Sequence, residues 1–75
     1  MYTYQVLVHG PKGYLECGLY RTGYITDAHE VSNRLADNLI KEGRMQLSHA
    51  DGGYTMVFKE SVFSFTVTPI KEAEK

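Results

Sequence analysis

DAHEVSNRLADNLIKEG, residues 27–43, carries the helical signature of the chain, and the rest of the fold is read outward from it. Ala28, Val31, Leu35, Ala36, Leu39 and Ile40 fall on one side at 3.6-residue spacing, which predicts a helix over about 28–42. Asp27 is placed to cap its start, and Glu30 three residues later resembles a capping box. Glu30 with Arg34 and Asp37 with Lys41 are i,i+4 pairs in the favourable order, on the side left for water. Gly43 is a natural stop. A single amphipathic helix must bury its stripe on another layer, and the flanking sequence supplies strands for it.

Upstream, residues 2–9, YTYQVLVH, have the Tyr and Val content of a strand. Gly10-Pro11-Lys12-Gly13 is a turn, and residues 14–20, YLECGLY, return from it. A four-residue loop sets Val8 opposite Leu15, Val6 opposite Cys17 and Tyr4 opposite Leu19, giving one apolar face. The other face then holds Thr3, Gln5, Leu7, Glu16 and Tyr20, and 21–26 are a connector.

Downstream, residues 44–49, RMQLSH, alternate, and Asp51-Gly52 suits a two-residue hairpin. That turn pairs Met45 with Phe58, Leu47 with Met56 and His49 with Tyr54. A second hairpin at Glu60-Ser61, or a four-residue loop over 59–62, pairs Phe58 with Phe63, Met56 with Phe65 and Tyr54 with Val67. Gln46, Ser48, Thr55, Val57, Ser64, Thr66 and Thr68 are left facing solvent, and Pro69 belongs at a strand end or edge. The expected fold class is α+β: one small domain over 1–70, ordered ββαβββ, with antiparallel sheet and one helix on the apolar face. Residues 71–75 are read as a short charged flexible tail. Pattern alone leaves open whether the first hairpin joins the other strands in one sheet.

At 75 residues the chain holds one core, and folding buries roughly 60% of the surface that the unfolded chain exposes. A hydrophobic fraction of 43% with 23% charge argues against disorder. Eight Lys and Arg against nine Asp and Glu, net charge −1, give no strong electrostatic footprint for nucleic acid. Cys17 is the sole cysteine, so no intrachain disulfide forms, and a reducing compartment follows. The start of the chain lacks a signal-peptide pattern, and no stretch nears the ~20 apolar residues of a membrane span. A cytoplasmic location and no membrane partner are the expectations.

Residues with chemical potential are few. His9, His29 and His49 are spaced too widely for a local zinc motif, and Cys17 has no partner cysteine, so no metal site is expected. The register above buries Cys17 between Leu15 and Leu19, where a thiol is an unreactive small hydrophobe. Gly10–Gly13 joins two strands and lacks the GK[ST] of a phosphate loop. Glu16, Glu30 and Asp37 form no pair suited to acid–base work. The expectation is no catalytic residues, no cofactor and no enzyme activity.

Six tyrosines with no tryptophan are the informative excess. Tyrosine suits binding surfaces because it is amphipathic and loses little entropy when fixed; equally, such rings cap the edges of a small core. Leu7, Tyr14, Tyr20 and Tyr24 are the candidate interface, with an exposed strand edge as the competing surface. The reading is a small non-enzymatic protein-binding or regulatory accessory protein, of a size common among phage and mobile-element products, whose partner is another protein or a second copy. The alternative is a nucleic-acid-binding module that stacks bases on tyrosines within a basic rim of Lys12 and Arg21, extended by Arg44 and Lys59.

Overall fold

The computed structural model describes residues 2–23 and 27–70. The elements are β1 (Tyr2–His9), β2 (Leu15–Thr22), α1 (Ala28–Glu42), β3 (Arg44–Ser48), β4 (Tyr54–Phe58) and β5 (Ser64–Pro69). Short 3₁₀ turns cover Pro11–Gly13 and Lys59–Ser61. The fold is α+β in the order ββαβββ, and all five strands join one antiparallel sheet in the spatial order β4-β3-β2-β1-β5. Tyr24 and the tail 71–75 lie outside the described residues. No described helix is long and apolar enough to cross a membrane.

The helix starts and stops where its sequence directs. The Asp27 carboxylate accepts the His29 N–H at 3.1 Å, and Gly43 closes the C-terminus at φ 78°, its N–H donating to the Leu39 carbonyl at 3.0 Å. Val31, Leu35 and Leu39 are buried, whereas Ile40, expected on the same stripe, is 72% exposed. The buried stripe is thus narrower than the apolar one: the helix meets β3 and β5 through Val31, Leu35 and Leu39, and Ile40 lies outside that contact.

Both hairpins close through three-residue turns, and each shifts the expected register by one residue. Gly10 donates to the Tyr14 carbonyl at 2.9 Å across Pro11-Lys12-Gly13, with Lys12 and Gly13 at φ 59° and 79°. His49 donates to the Gly53 carbonyl at 2.8 Å across Ala50-Asp51-Gly52, with Gly52 at φ 96°. A three-residue turn ending on a left-handed glycine is as sound a hairpin closure as the two- or four-residue forms. The pairs become Val8↔Glu16, Val6↔Gly18 and Tyr4↔Tyr20 in the first hairpin, and Met45↔Val57 and Leu47↔Thr55 in the second. A slip of one residue turns a whole strand over. Leu15, Cys17 and Leu19 of β2, and Tyr54, Met56 and Phe58 of β4, therefore face away from the helix. Val57, expected in solvent, is 1% exposed in the core. Cys17 is exposed rather than buried.

The expected hairpin between β4 and β5 does not form. β5 pairs with β1 at the opposite edge, with Val6↔Val67 and Val8↔Phe65, and Phe63 is 76% exposed. Glu60-Ser61 makes a 3₁₀ turn instead, and β1, whose Tyr4, Val6 and Val8 are all buried, gains a partner on each side. β4 and β5 run parallel. In a flat sheet the end of one and the start of the other would lie about 25 Å apart. The linker with its 3₁₀ turn reaches at most roughly 20 Å. The sheet must coil, and α1 fills its concave side. Lys59 N–H to the Gly43 carbonyl at 2.9 Å and Phe63 N–H to the His9 carbonyl at 2.8 Å fasten the linker at both ends. The core comprises Tyr4, Val6 and Val8 of β1, Val31, Leu35 and Leu39 of α1, Met45 and Leu47 of β3, and Val57 of β4.

Candidate interaction surface

The convex face of the sheet has no layer over it among the described residues. In its centre the β1–β2 register sets Leu7 beside Cys17, Gln5 beside Leu19 and His9 beside Leu15. Leu19 lies opposite Ser48 of β3, and Ser48 opposite Tyr54 of β4. Gln46 pairs with Met56 and Arg44 with Phe58 on the same face. Two apolar strips thus lie on this face, Leu7 with Leu15, Cys17 and Leu19 on β1 and β2, and Tyr54, Met56 and Phe58 on β4, separated by the polar row Arg44, Gln46 and Ser48 of β3. Leu15 is 58% exposed, Tyr54 64% and Phe58 54%. Gln5 Nε2 donates to Cys17 Sγ at 3.3 Å, which leaves the thiol at the surface.

The residues named from sequence separate. Leu7 is half-buried on this convex face, but Tyr14 and Tyr20 pack against the core on the helix side, so the proposed Leu7–tyrosine cluster is not one surface. Lys12 and Arg21 are both exposed, at opposite ends of β2, and do not form a continuous rim. Arg21 instead shares the convex face and the same end of the sheet with Arg44, two residues beyond Leu19 and four before Ser48 respectively. Leu15, Leu19, Tyr54, Met56 and Phe58 were missed because the expected registers turned them inward. The glycines closing each turn, and Gly18 at a would-be outward position of β2, were the signals that could have found them.

Groups with chemistry stay dispersed. His9 and His29 are exposed, while His49 Nε2 lies 2.7 Å from Thr55 Oγ1. Among the described residues no three His, Cys, Asp or Glu side chains gather where they could hold a metal ion. A shallow hollow of about 350 Å³ lies along the solvated helix side, lined by Glu30, Asn33, Arg34, Asp37, Asn38 and Lys41. No buried side-chain polar atom among the described residues lacks a hydrogen-bond partner, so none is held in reserve for a ligand. No protein-family model, curated protein or solved structure matches the chain.

Proposed function

We propose that this chain is a non-enzymatic, protein-binding accessory or regulatory domain that receives its partner on the convex face of the sheet. The observation that carries the reading is the pair of uncovered apolar strips, Leu7 with Leu15, Cys17 and Leu19, and Tyr54 with Met56 and Phe58. Such a face is costly to leave in water and is characteristic of an interaction site. Aromatic and methionine side chains, prominent here, are also the ones enriched in interface centres.

Arg44 opposite Phe58, with Arg21 at the same end of the convex face, favours a second reading, in which the arginines meet phosphates and the ring stacks on a base. Binding would then fall steeply with salt. The net charge of −1 weighs against it.

Affinity capture from the native host, with and without nuclease, tests both readings, comparing wild type with Leu15→Ser and Ile40→Ser. A nuclease-resistant protein captured by wild type and Ile40→Ser but lost with Leu15→Ser supports the convex face. Retention by Leu15→Ser, or loss after nuclease, overturns it.

A further inference from the structure

The free edge of β4 has the pattern of a strand that pairs with itself. Two backbone bonds fix which of its groups point outward. Lys59 N–H bonds the Gly43 carbonyl and His49 N–H bonds the Gly53 carbonyl, at 2.9 and 2.8 Å. Both lie on the register that pairs Arg44 with Phe58 and Ser48 with Tyr54, so the odd-numbered residues of β4 exchange hydrogen bonds with β3. Antiparallel alternation then turns the N–H and C=O groups of Tyr54, Met56 and Phe58 to the open edge. No strand pairs with that edge among the described residues.

We propose that two copies of the chain join antiparallel through β4, about a two-fold axis at Met56. Met56 then faces Met56 of the second copy, and Tyr54 faces its Phe58, twice. The outward groups meet in three pairs, each exchanging two backbone bonds. Both aromatic pairs lie on the convex face, where such cross-strand pairs stabilise a sheet. The β4 apolar strips of the two copies merge into one surface. The inference names a second copy as a partner and rests on the protein-binding reading.

Charge does not oppose this arrangement. Tyr54–Phe58 contains no charged residue, so the two-fold axis sets no charge against its own image. Beyond the strand the register sets Gly53 opposite Lys59 and Gly52 opposite Glu60, so the ends add neither a net attraction nor a net repulsion.

The other edge fits less well. Ile70 N–H bonds the Thr3 carbonyl at 3.0 Å, which by the same alternation turns Phe65, Val67 and Pro69 outward on β5. Pro69 offers no N–H, a common way of blunting an edge. Joining β4 to β5 of another copy would also set aromatic rings against Ser64, Thr66 and Thr68.

The area implies a weak dimer. With Tyr54 64% and Phe58 54% exposed, the rings of both copies offer roughly 500 Å² together. Even with Met56 and backbone added, this sits at the low end of specific interfaces.

Sedimentation velocity of the full chain from about 1 to about 300 μM, the range open to a small interface, tests the proposal. The expected result is a monomer–dimer equilibrium. Met56→Pro removes an N–H that faces the edge, so the monomer keeps its fold while dimer dissociation rises about tenfold or more. Met56→Lys and Met56→Glu are each expected to be monomeric, and an equimolar mixture to restore the dimer. A wild type monomeric throughout, dimers retained by Met56→Lys, or a mixture that stays monomeric overturns the proposal. Should Met56→Pro unfold by circular dichroism, the Lys and Glu variants decide alone. A monomeric wild type leaves the convex-face reading standing, because the Leu15→Ser comparison does not touch the β4 edge.

Discussion

Leu47 of β3 lies directly over Gly18 of β2, closer to its Cα than any side chain at position 18 would allow. A Cβ built there would overlap the Leu47 Cβ, and both residues face the core. Glycine thus lets β3 close on β2 where Leu19 pairs with Ser48. Gly18→Ala is expected to cost about 1–3 kcal/mol, as overpacking does. Gly23→Ala, where nothing lies within 4 Å and φ is ordinary, is expected to be neutral or to stabilise by about 0.4–1 kcal/mol. Urea unfolding followed by circular dichroism measures both. Equal stabilities for the two variants would contradict the close approach.

Tyr4 is 2% exposed, and its burial raises the phenol above the ordinary value of 10.0; the Asp27 carboxylate and Tyr2 push the same way. The folded chain therefore holds this proton more tightly than the unfolded one. The associated stability is fully present below pH 10.0 and is lost as pH rises from there through the raised value. Wild type is expected to unfold on alkaline titration more steeply than Tyr4→Phe, which has no proton to lose at that position. Superimposable alkaline transitions would show that Tyr4 does not drive the loss.

The helix was legible in the sequence to its last residue because its signals are local. Asp27 caps, Gly43 stops, and the Val31, Leu35 and Leu39 stripe lies between them. Strand positions were legible for the same reason. Registers were not, since Asp51-Gly52 serves a two-residue turn and a three-residue turn equally well, and the side chains on both faces are apolar enough to suit either. In the first hairpin the inward residues of β2 are Glu16, Gly18, Tyr20 and Thr22, the less hydrophobic alternative. Packing over Gly18, not the hydrophobic pattern, decides that strand. The partner of β5 was hidden because pairing β1 with β5 is non-local, and nothing within 59–70 records it. The candidate surface was lost along with the registers, Leu7 excepted.

The one-residue shift makes a direct chemical prediction for Cys17. Its Sγ is exposed on the convex face and is held only by Gln5 Nε2 at 3.3 Å. A thiol reagent is expected to modify it under native conditions at close to the rate measured in denaturant. Cys17→Ser is expected to change stability by no more than about 0.5 kcal/mol, as surface substitutions do. Protection of the native thiol by more than about tenfold would return Cys17 to the interior and restore the four-residue loop, since burial is what makes structural cysteines inert.

Leu15 and Tyr20 separate binding from folding within one strand. Tyr20 packs on the core side and Leu15, 58% exposed, on the convex side. Tyr20→Ala is expected to cost about 2 kcal/mol, less than a fully buried aromatic because the ring is only half-covered. Once allowance is made for the unfolded fraction, partner affinity should be unchanged. Leu15→Ser is expected to alter stability by no more than about 0.5 kcal/mol and to weaken partner binding by about tenfold, the loss of one apolar contact in an interface. Thermal unfolding and titration calorimetry on the same two samples make the comparison. The reverse pattern, with Tyr20→Ala weakening binding and Leu15→Ser leaving it intact, would move the interface to the helix side of the sheet, where Tyr14 and Tyr20 lie together against the core.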